Sequence, residues 1–248
     1  MNDDRKSNWV KMSRRRLLPR SLLRGLSLFM IAYLATAYFI LPSAWHTFDR
    51  YHPVNDDDHR ITRTSDGHPG DPINICLIGS KRELKQLMEA AHWYLSDPLS
   101  LKADVEIGVD SILKRRYDAA PVSTLLLGGR PEDAAFEQSV DQSPRQRHHV
   151  RFWRSSDRDS NGREVWLGAA TFDARVGFSH TTGQVTHHIA ADIDVERAHL
   201  FECLDATQGL EDRYVVPGFH AVTEGRNGGG DPWHTDGELW VGVIQLSQ

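Results

Sequence analysis

Histidines are the residues of this chain whose number and spacing point most directly to chemistry. The sequence has 13 histidines in 248 residues, and five of them lie within one stretch of 41 residues: His148, His149, His180, His187 and His188. Neutral imidazoles and carboxylates are the ligands that zinc and similar divalent metals take in proteins. The possible metal ligands are therefore His149, His180, His187, His188, Asp192 and Asp194.

Strand alternation predicts which of these side chains share a face. In the segment RHHVRFWR, His149 and Arg151 point the same way, whereas His148 and the apolar Val150 and Phe152 point the other way. If the apolar residues enter the core, His149 and Arg151 lie on an open face of the sheet. We expect an exposed His188 and His180 to join them, with His187 beside a buried Ile189.

This histidine-rich face supports one enzymatic hypothesis. Zinc or another divalent metal would activate water, and Arg151 with His149 would contact a phosphate. The protein would then be a metal-dependent hydrolase of phosphate- or lipid-linked envelope substrates. However, no complete motif such as His-Glu-x-x-His or Gly-x-Ser-x-Gly is present, so no catalytic residue is identified.

A structural interpretation of the same residues stays open beside it. The histidines can be hydrogen-bonded residues of the sheet, while Asp192 and Asp194 open a turn and cap a helix. Arg151 can form a cross-strand ion pair with Asp173 or Glu164. Under this interpretation the protein is a binding or accessory module, which is the function that the missing motifs favour.

Hydrophobic periodicity predicts the elements that position these residues. We expect an α/β fold, a mixed α+β sheet with flanking helices, as a single globular domain over residues 71–248. Predicted strands cover residues 73–78, 123–127, 147–154, 164–173, 186–189 and 238–246. One helix begins after Ser80, with Glu83 completing a capping box, and two more cover residues 103–116 and 194–206. Cys76 and Cys203 can form one disulfide or remain two buried thiols.

An uncharged apolar segment, residues 25–45, precedes this domain. As a helix its 21 residues extend about 30 Å, the thickness of a bilayer core. Residues 1–24 carry eight basic and two acidic side chains, a net of +6, which leaves −11 for the rest of the chain. The sequence thus predicts a cytoplasmic N-terminus, one transmembrane helix in the inner membrane, a polar linker at 46–70 and a periplasmic body. The acidic body argues against nucleic-acid binding.

Two export signals are alternatives to a permanent anchor. Ala35-Thr36-Ala37 has the small-x-small form of a signal-peptidase site. Residues 13–18, SRRRLL, resemble a twin-arginine signal, but the same residues also suit a polybasic flank that fixes topology and contacts anionic lipid.

Several long motifs occur in the body in a fixed order: GDPIN at 70–74, LIGS at 77–80, RHHVRFW at 147–153, LGAATFD at 167–173 and THHI at 186–189. With these motifs, residues 71–246 resemble the LssY C-terminal domain family of bacterial membrane-associated proteins. Related domains occur behind multispanning DedA-type and phosphatidate-phosphatase-type domains. The resemblance implies a fold, a membrane location and a component of type I secretion. An envelope lipid or protein is the candidate partner of a domain in that location. It implies no established reaction.

Overall fold

The computed structural model describes residues 20–41, 43–44, 60–96, 124–140, 146–181, 183 and 185–245. The predicted helix at 103–116, the basic segment at 1–19 and the end of the apolar segment at 45 lie outside these residues.

The described chain begins with an apolar helix. Helix α1 (Arg20–Ala35) continues into a π-helical turn, Thr36–Ile40. The 20 residues Ser21–Ile40 have a mean hydropathy of 1.6 and are almost entirely exposed, which distinguishes this helix from the core helix of a soluble protein. Within the described part of the chain it is the one helix long and apolar enough to cross a membrane, and it fits a membrane anchor or an export signal.

Fourteen strands and two helices follow within the residues that the structure describes. The helices are α2 (Lys81–Ala90) and α3 (Ile193–Ala206). The strands are β1 (Ile61–Thr64), β2 (Pro69–Pro72), β3 (Ile75–Ile78), β4 (Tyr94–Leu95), β5 (Leu125–Leu127), β6 (Arg130–Pro131), β7 (Ala134–Ser139), β8 (Arg147–Arg158), β9 (Glu164–Phe178), β10 (Val185–Ile189), β11 (Leu210–Val216), β12 (Glu224–Arg226), β13 (Pro232–His234) and β14 (Leu239–Ile244). The predicted mixed α+β fold is confirmed.

Eight strands form the large sheet. Their order is β11-β14-β3-β9-β8-β7-β4, and β10 pairs with the distal half of β9. Among the described strand pairs of this sheet, β3 and β14 run parallel and the others are antiparallel. Asn74 connects β3 to the middle of β9: its Nδ2 donates to the Ala170 carbonyl at 3.0 Å, and its Oδ1 accepts from the Ala170 amide at 2.9 Å. Asn74 immediately precedes β3, and its side chain bonds to β9 at Ala170, between the residues that pair with β3 and those that pair with β10.

Helices α2 and α3 cover one face of the large sheet. The capping box at the start of α2 is present as predicted, since the Glu83 amide donates to Ser80 Oγ at 3.3 Å and the Ser80 amide donates back to the Glu83 carboxylate at 2.7 Å. The core between helices and sheet is built from large apolar side chains: Leu84, Leu87, Trp93, Phe152, Trp166 and Phe201. Burial of this surface is the main force that holds the helices to the sheet.

A small sheet of order β2-β1-β5-β6 covers part of the other face. Residues 61–70 were predicted as the end of a solvated linker, and the structure corrects this: β1 pairs antiparallel with both β2 and β5. Thr62 is fully buried and its hydroxyl donates to the Asp71 carbonyl at 2.8 Å. A Cβ on Gly70 of β2 would collide with Thr62 of β1 and Leu125 of β5, so the close approach of these strands requires glycine at position 70.

The two cysteines lie on opposite faces of the large sheet. Cys76 packs with the apolar residues under the small sheet, whereas Cys203 packs on the helix side. Both are free thiols, so the predicted alternative of a disulfide is wrong. Burial raises the pKa of the Cys76 thiol to about 12.

Candidate functional site

A polar cavity of about 320 Å³ lies between the two sheets. The face of β8 that looks toward the small sheet changes from apolar at Trp153 to polar at Arg151 and His149. The apolar end is closed by core packing, and the polar end opens into the cavity. Three groups of residues line it: His149, Arg151, Thr171, Asp173, His187 and Ile189 from the large sheet; Gly70, Asp71 and Leu125 from the small sheet; and Asp66, Ser179 and Asn227 from loops.

His149 and Arg151 share a face as predicted, but that face is not open. Only 4% of His149 and 5% of Arg151 is exposed. Their apolar neighbours Val150 and Phe152 fill the helix-side core. The small sheet, which the sequence pattern did not reveal, covers the polar face and converts an expected surface into the wall of a cavity.

The cavity and its rim contain more acidic than basic groups. Arg151 lies 3.5 Å from a carboxylate oxygen of Asp71 and 3.9 Å from one of Glu132. Among the lining side chains, Asp66 and Asp173 add two carboxylates. Asp173 is paired with Arg147, which lies outside the lining, so the acidic excess of the described cavity wall rests on Asp66. Electrostatics therefore favour a cationic or neutral hydrogen-bonding ligand over an anion.

The predicted cross-strand partners of Arg151 are wrong. Asp173 pairs with Arg147 at 2.8 Å, and Glu164 pairs with Arg154 at 3.2 Å. The strand register explains this, because it places Arg147 directly opposite Asp173 and places Arg151 opposite Ala169. Arg151 consequently turns toward the small sheet.

Burial shifts the protonation of the cavity groups. Burial, together with the positive charges of Arg151 and Arg147, holds the pKa of His149 well below its ordinary value. Burial also raises the pKa of Asp71, and Asp173 adds to this while Arg151 opposes it. The pKa of His187 is lowered, chiefly by burial. His149 is thus a neutral imidazole that can accept or donate a hydrogen bond at neutral pH.

A second cluster lies next to the cavity and consists of His180, His188 and Asp231. One ligand atom from each residue lies within 4.8 Å of the others. His188 was expected to be exposed, yet only 2% of it is, and its Nδ1 is 2.6 Å from Asp231 Oδ1. The loop 227–231, which joins β12 to β13, covers this end of β10 and supplies Asp231.

The remaining predicted metal ligands lie elsewhere. The Asp192 carboxylate accepts the Asp194 amide at 3.1 Å, as the N-cap of α3. Asp194 accepts from the Thr235 hydroxyl at 2.7 Å and pairs with Arg197 at 3.2 Å. Both aspartates therefore have the structural role of the alternative interpretation. His149 and His187 line the cavity, and the structure does not group them with His180 and His188 as ligands.

His148 belongs neither to the cavity lining nor to the cluster of His180, His188 and Asp231. It faces α3, where its Nδ1 lies 2.8 Å from Glu196 and its ring stacks on His199 with centroids 3.9 Å apart. This arrangement agrees with its predicted place on the core-facing side of β8.

The sequence reasoning missed Asp71 and Asp231 as site residues. Asp71 is the second residue of the GDPIN motif, and Asp231 follows the glycine run at 228–230, a composition typical of a flexible turn. Gly230 has a φ of 84°, and a Cβ there would collide with His180. Gly230 is thus required for the close approach of the two loops, a role that a sequence pattern alone does not distinguish from flexibility.

The family model described as LssY C-terminus matches residues 48–239, which is most of the chain. The match includes the cluster of His180, His188 and Asp231 and most of the residues that line the cavity. No curated protein and no solved structure gave a significant match.

Proposed function

The chain belongs to the LssY C-terminus family, and on this premise we propose that it is a single-pass inner-membrane protein whose periplasmic domain binds a small, positively charged polar ligand. The binding site is the cavity between the two sheets. The protein acts as a binding or accessory module for an envelope lipid or protein component that carries such a group.

One observation carries this proposal: buried charged and polar groups converge on a cavity large enough for a small molecule. Asp71, Arg151 and His149 are each less than 10% exposed, yet all three reach the same cavity. Keeping such groups away from water is costly unless they are paired, and a polar cavity that persists in a small domain is the usual form of a ligand site.

The position of the apolar helix supports the proposal that the ligand binds at the membrane surface. Tyr38, in the π-helical turn at the end of the apolar helix, lines the cavity. The cavity therefore lies beside the end of the apolar helix, where the proposed topology places the membrane surface.

Isothermal titration calorimetry of the full chain in detergent tests the ligand class. We expect ethanolamine, choline or spermidine to bind, and glycerol and inorganic phosphate to bind at least about tenfold more weakly. Asp71→Asn keeps the shape of the side chain and removes its charge, so it should weaken amine binding by about tenfold. Binding of phosphate in preference to every amine would refute the proposal.

A metal-dependent hydrolase is the second candidate, because His180, His188 and Asp231 lie beside the cavity. It differs from the first in requiring turnover. Hydrolysis of p-nitrophenyl phosphate by the full chain with added Zn²⁺, abolished in His188→Gln, would support it. Absence of hydrolysis with Zn²⁺, Mn²⁺ and Mg²⁺ would leave the binding module as the function.

The topology has its own test. An enzyme reporter that is active only in the periplasm, fused after Gln248, should be active. An inactive fusion would overturn the proposed orientation and leave the ligand test unaffected.

A further inference from the structure

We propose that His180, His188 and Asp231 form a binding site for one divalent transition-metal ion, zinc being the best match. The site goes beyond the ligand-binding function of the cavity, because none of its three side chains lines that cavity. It stands or fails independently of what the cavity binds.

The hydrogen bond between His188 and Asp231 marks the metal position. Their Nδ1 and Oδ1 atoms are 2.6 Å apart. Two ligand atoms on one tetrahedral zinc, each about 2.0–2.1 Å from the metal, are about 3.3 Å apart. A small opening of this pair lets the metal replace the shared proton, and both groups are then direct ligands.

The orientation of His188 leaves Nδ1 as its metal-binding atom. Its Nε2 lies against the backbone of β9, so close to Gly177 that a Cβ there would collide with it. The ring is buried and held in this position by the strand. Glycine at 177 is therefore what allows the imidazole to fit with Nδ1 turned toward Asp231.

Asp231 is also held in place by hydrogen bonds. Its Oδ2 accepts from the Ile189 amide at 3.4 Å. Its own amide donates to Asn227 Oδ1 at 3.0 Å, which closes the turn that carries it. A carboxylate oriented in this way loses little conformational freedom when it binds a metal.

The third ligand comes from a loop that is hydrogen-bonded to the Asp231 loop. The His180 amide donates to the Gly229 carbonyl at 2.8 Å, and the Thr181 hydroxyl donates to the Gly228 carbonyl at 2.6 Å. The rings of His180 and His188 have centroids 5.2 Å apart. His180 is exposed, so its side chain can turn by the small amount that coordination requires.

The ligand types select the metal. Two imidazoles and one carboxylate suit zinc, whereas calcium and magnesium require sites that are dominated by oxygen. A three-ligand site with one ligand exposed to solvent leaves a fourth position for water, which is the pattern of zinc sites that are not purely structural.

Zinc titration of the full chain in detergent, purified without a histidine tag and treated with chelator, tests the site. Zn²⁺ is added in competition with a chromophoric chelator. We expect one tightly bound equivalent for the native chain. His180→Gln changes an exposed side chain and Asp231→Asn conserves shape, and each should weaken zinc binding by at least about tenfold.

His234→Gln is the matched control, because His234 is exposed on β13 and lies outside the cluster. It should bind zinc as the native chain does, which separates the site from the background of the other histidines. Far-ultraviolet circular dichroism confirms that each variant is folded. The proposal is overturned if the native chain takes up no tight zinc, or if His180→Gln binds it as tightly as His234→Gln does.

Discussion

Replacement of His149 by glutamine should remove part of the loss of stability that this protein suffers in mild acid. His149 is buried in the cavity wall, and burial with two nearby guanidinium groups holds its pKa well below the ordinary value of 6.5. In the unfolded chain the imidazole titrates normally. As pH falls below about 6.5, the unfolded state therefore binds a proton that the folded state does not, and the free energy of unfolding falls.

The magnitude follows from this difference in proton binding. If His149 stays neutral in the folded protein down to pH 5, protonation of the unfolded chain between pH 7 and pH 5 removes about 2 kcal/mol of stability. Glutamine has no proton to gain in this range. The variant should thus lose about 2 kcal/mol less than the native chain over the same interval, whatever its stability at pH 7.

Urea unfolding at pH 7 and pH 5 measures the effect, with tryptophan fluorescence as the signal because Trp93, Trp153 and Trp166 are almost fully buried. His187 and His199, whose pKa values are also lowered by burial, remain in both proteins, so the comparison isolates His149. The exposed His234→Gln serves as control and should behave as the native chain. An equal pH dependence in His149→Gln and the native chain would refute the reasoning.

Three further predictions follow from the packing. Asn74→Ala leaves the Ala170 amide and carbonyl and the Ile193 carbonyl without their side-chain partner. It should therefore lower the free energy of unfolding, measured by urea titration, by about 3 kcal/mol or more. The exposed Asn161→Ala is the control and should change little in the same titration. Gly168→Ala places a Cβ 2.7 Å from a ring carbon of Phe152 and should cost about 1–3 kcal/mol by the same measurement; an unchanged midpoint would contradict the packing. Cys203, which is only partly buried, should react with a maleimide before Cys76 does, and a change in gel mobility on reduction of the untreated protein would contradict two free thiols.

Elements with strong periodicity or a clear cap could be predicted from the sequence. The capping box at Ser80 and the long hairpin of β8 and β9 are present, although both strands extend beyond their predicted ends. The extensions were missed because the added residues are polar or mixed and do not pack in the core. Residues 155–158 lie at the turn end of the hairpin, where Arg158 pairs with Glu164, and residues 174–178 pair with β10 at the other end.

The covering sheet could not be predicted in the same way. Strand β2 is PGDP, a sequence that local propensity assigns to a turn, and β1 contains a single large apolar residue. Their pairing depends on tertiary contacts, such as those of Thr62 with Asp71. The sequence therefore predicted on which face of β8 His149 lies. It did not predict that His149 is buried, because the burial depends on this small sheet.

The cluster of His180, His188 and Asp231 shows a related limit. His188 and Asp231 are 43 residues apart, and the contact arises because the β12–β13 hairpin folds back over β10. Sequence proximity instead suggested Asp192 and Asp194, which lie near His188 in the chain but form the start of α3. The sequence therefore identified two members of the proposed site, His180 and His188, and suggested other carboxylates in place of Asp231.

Nuclear magnetic resonance of the histidine side chains during an ethanolamine titration tests most directly whether the cavity is the binding site. In the full chain, labelled with ¹⁵N at histidine and held in detergent micelles, we predict that the ring signals of His149 and His187 shift with ethanolamine concentration. The signals of the exposed His92 and His234 should stay constant. Saturating shifts at His149 and His187 alone would confirm the account, and unchanged signals at both residues would contradict it.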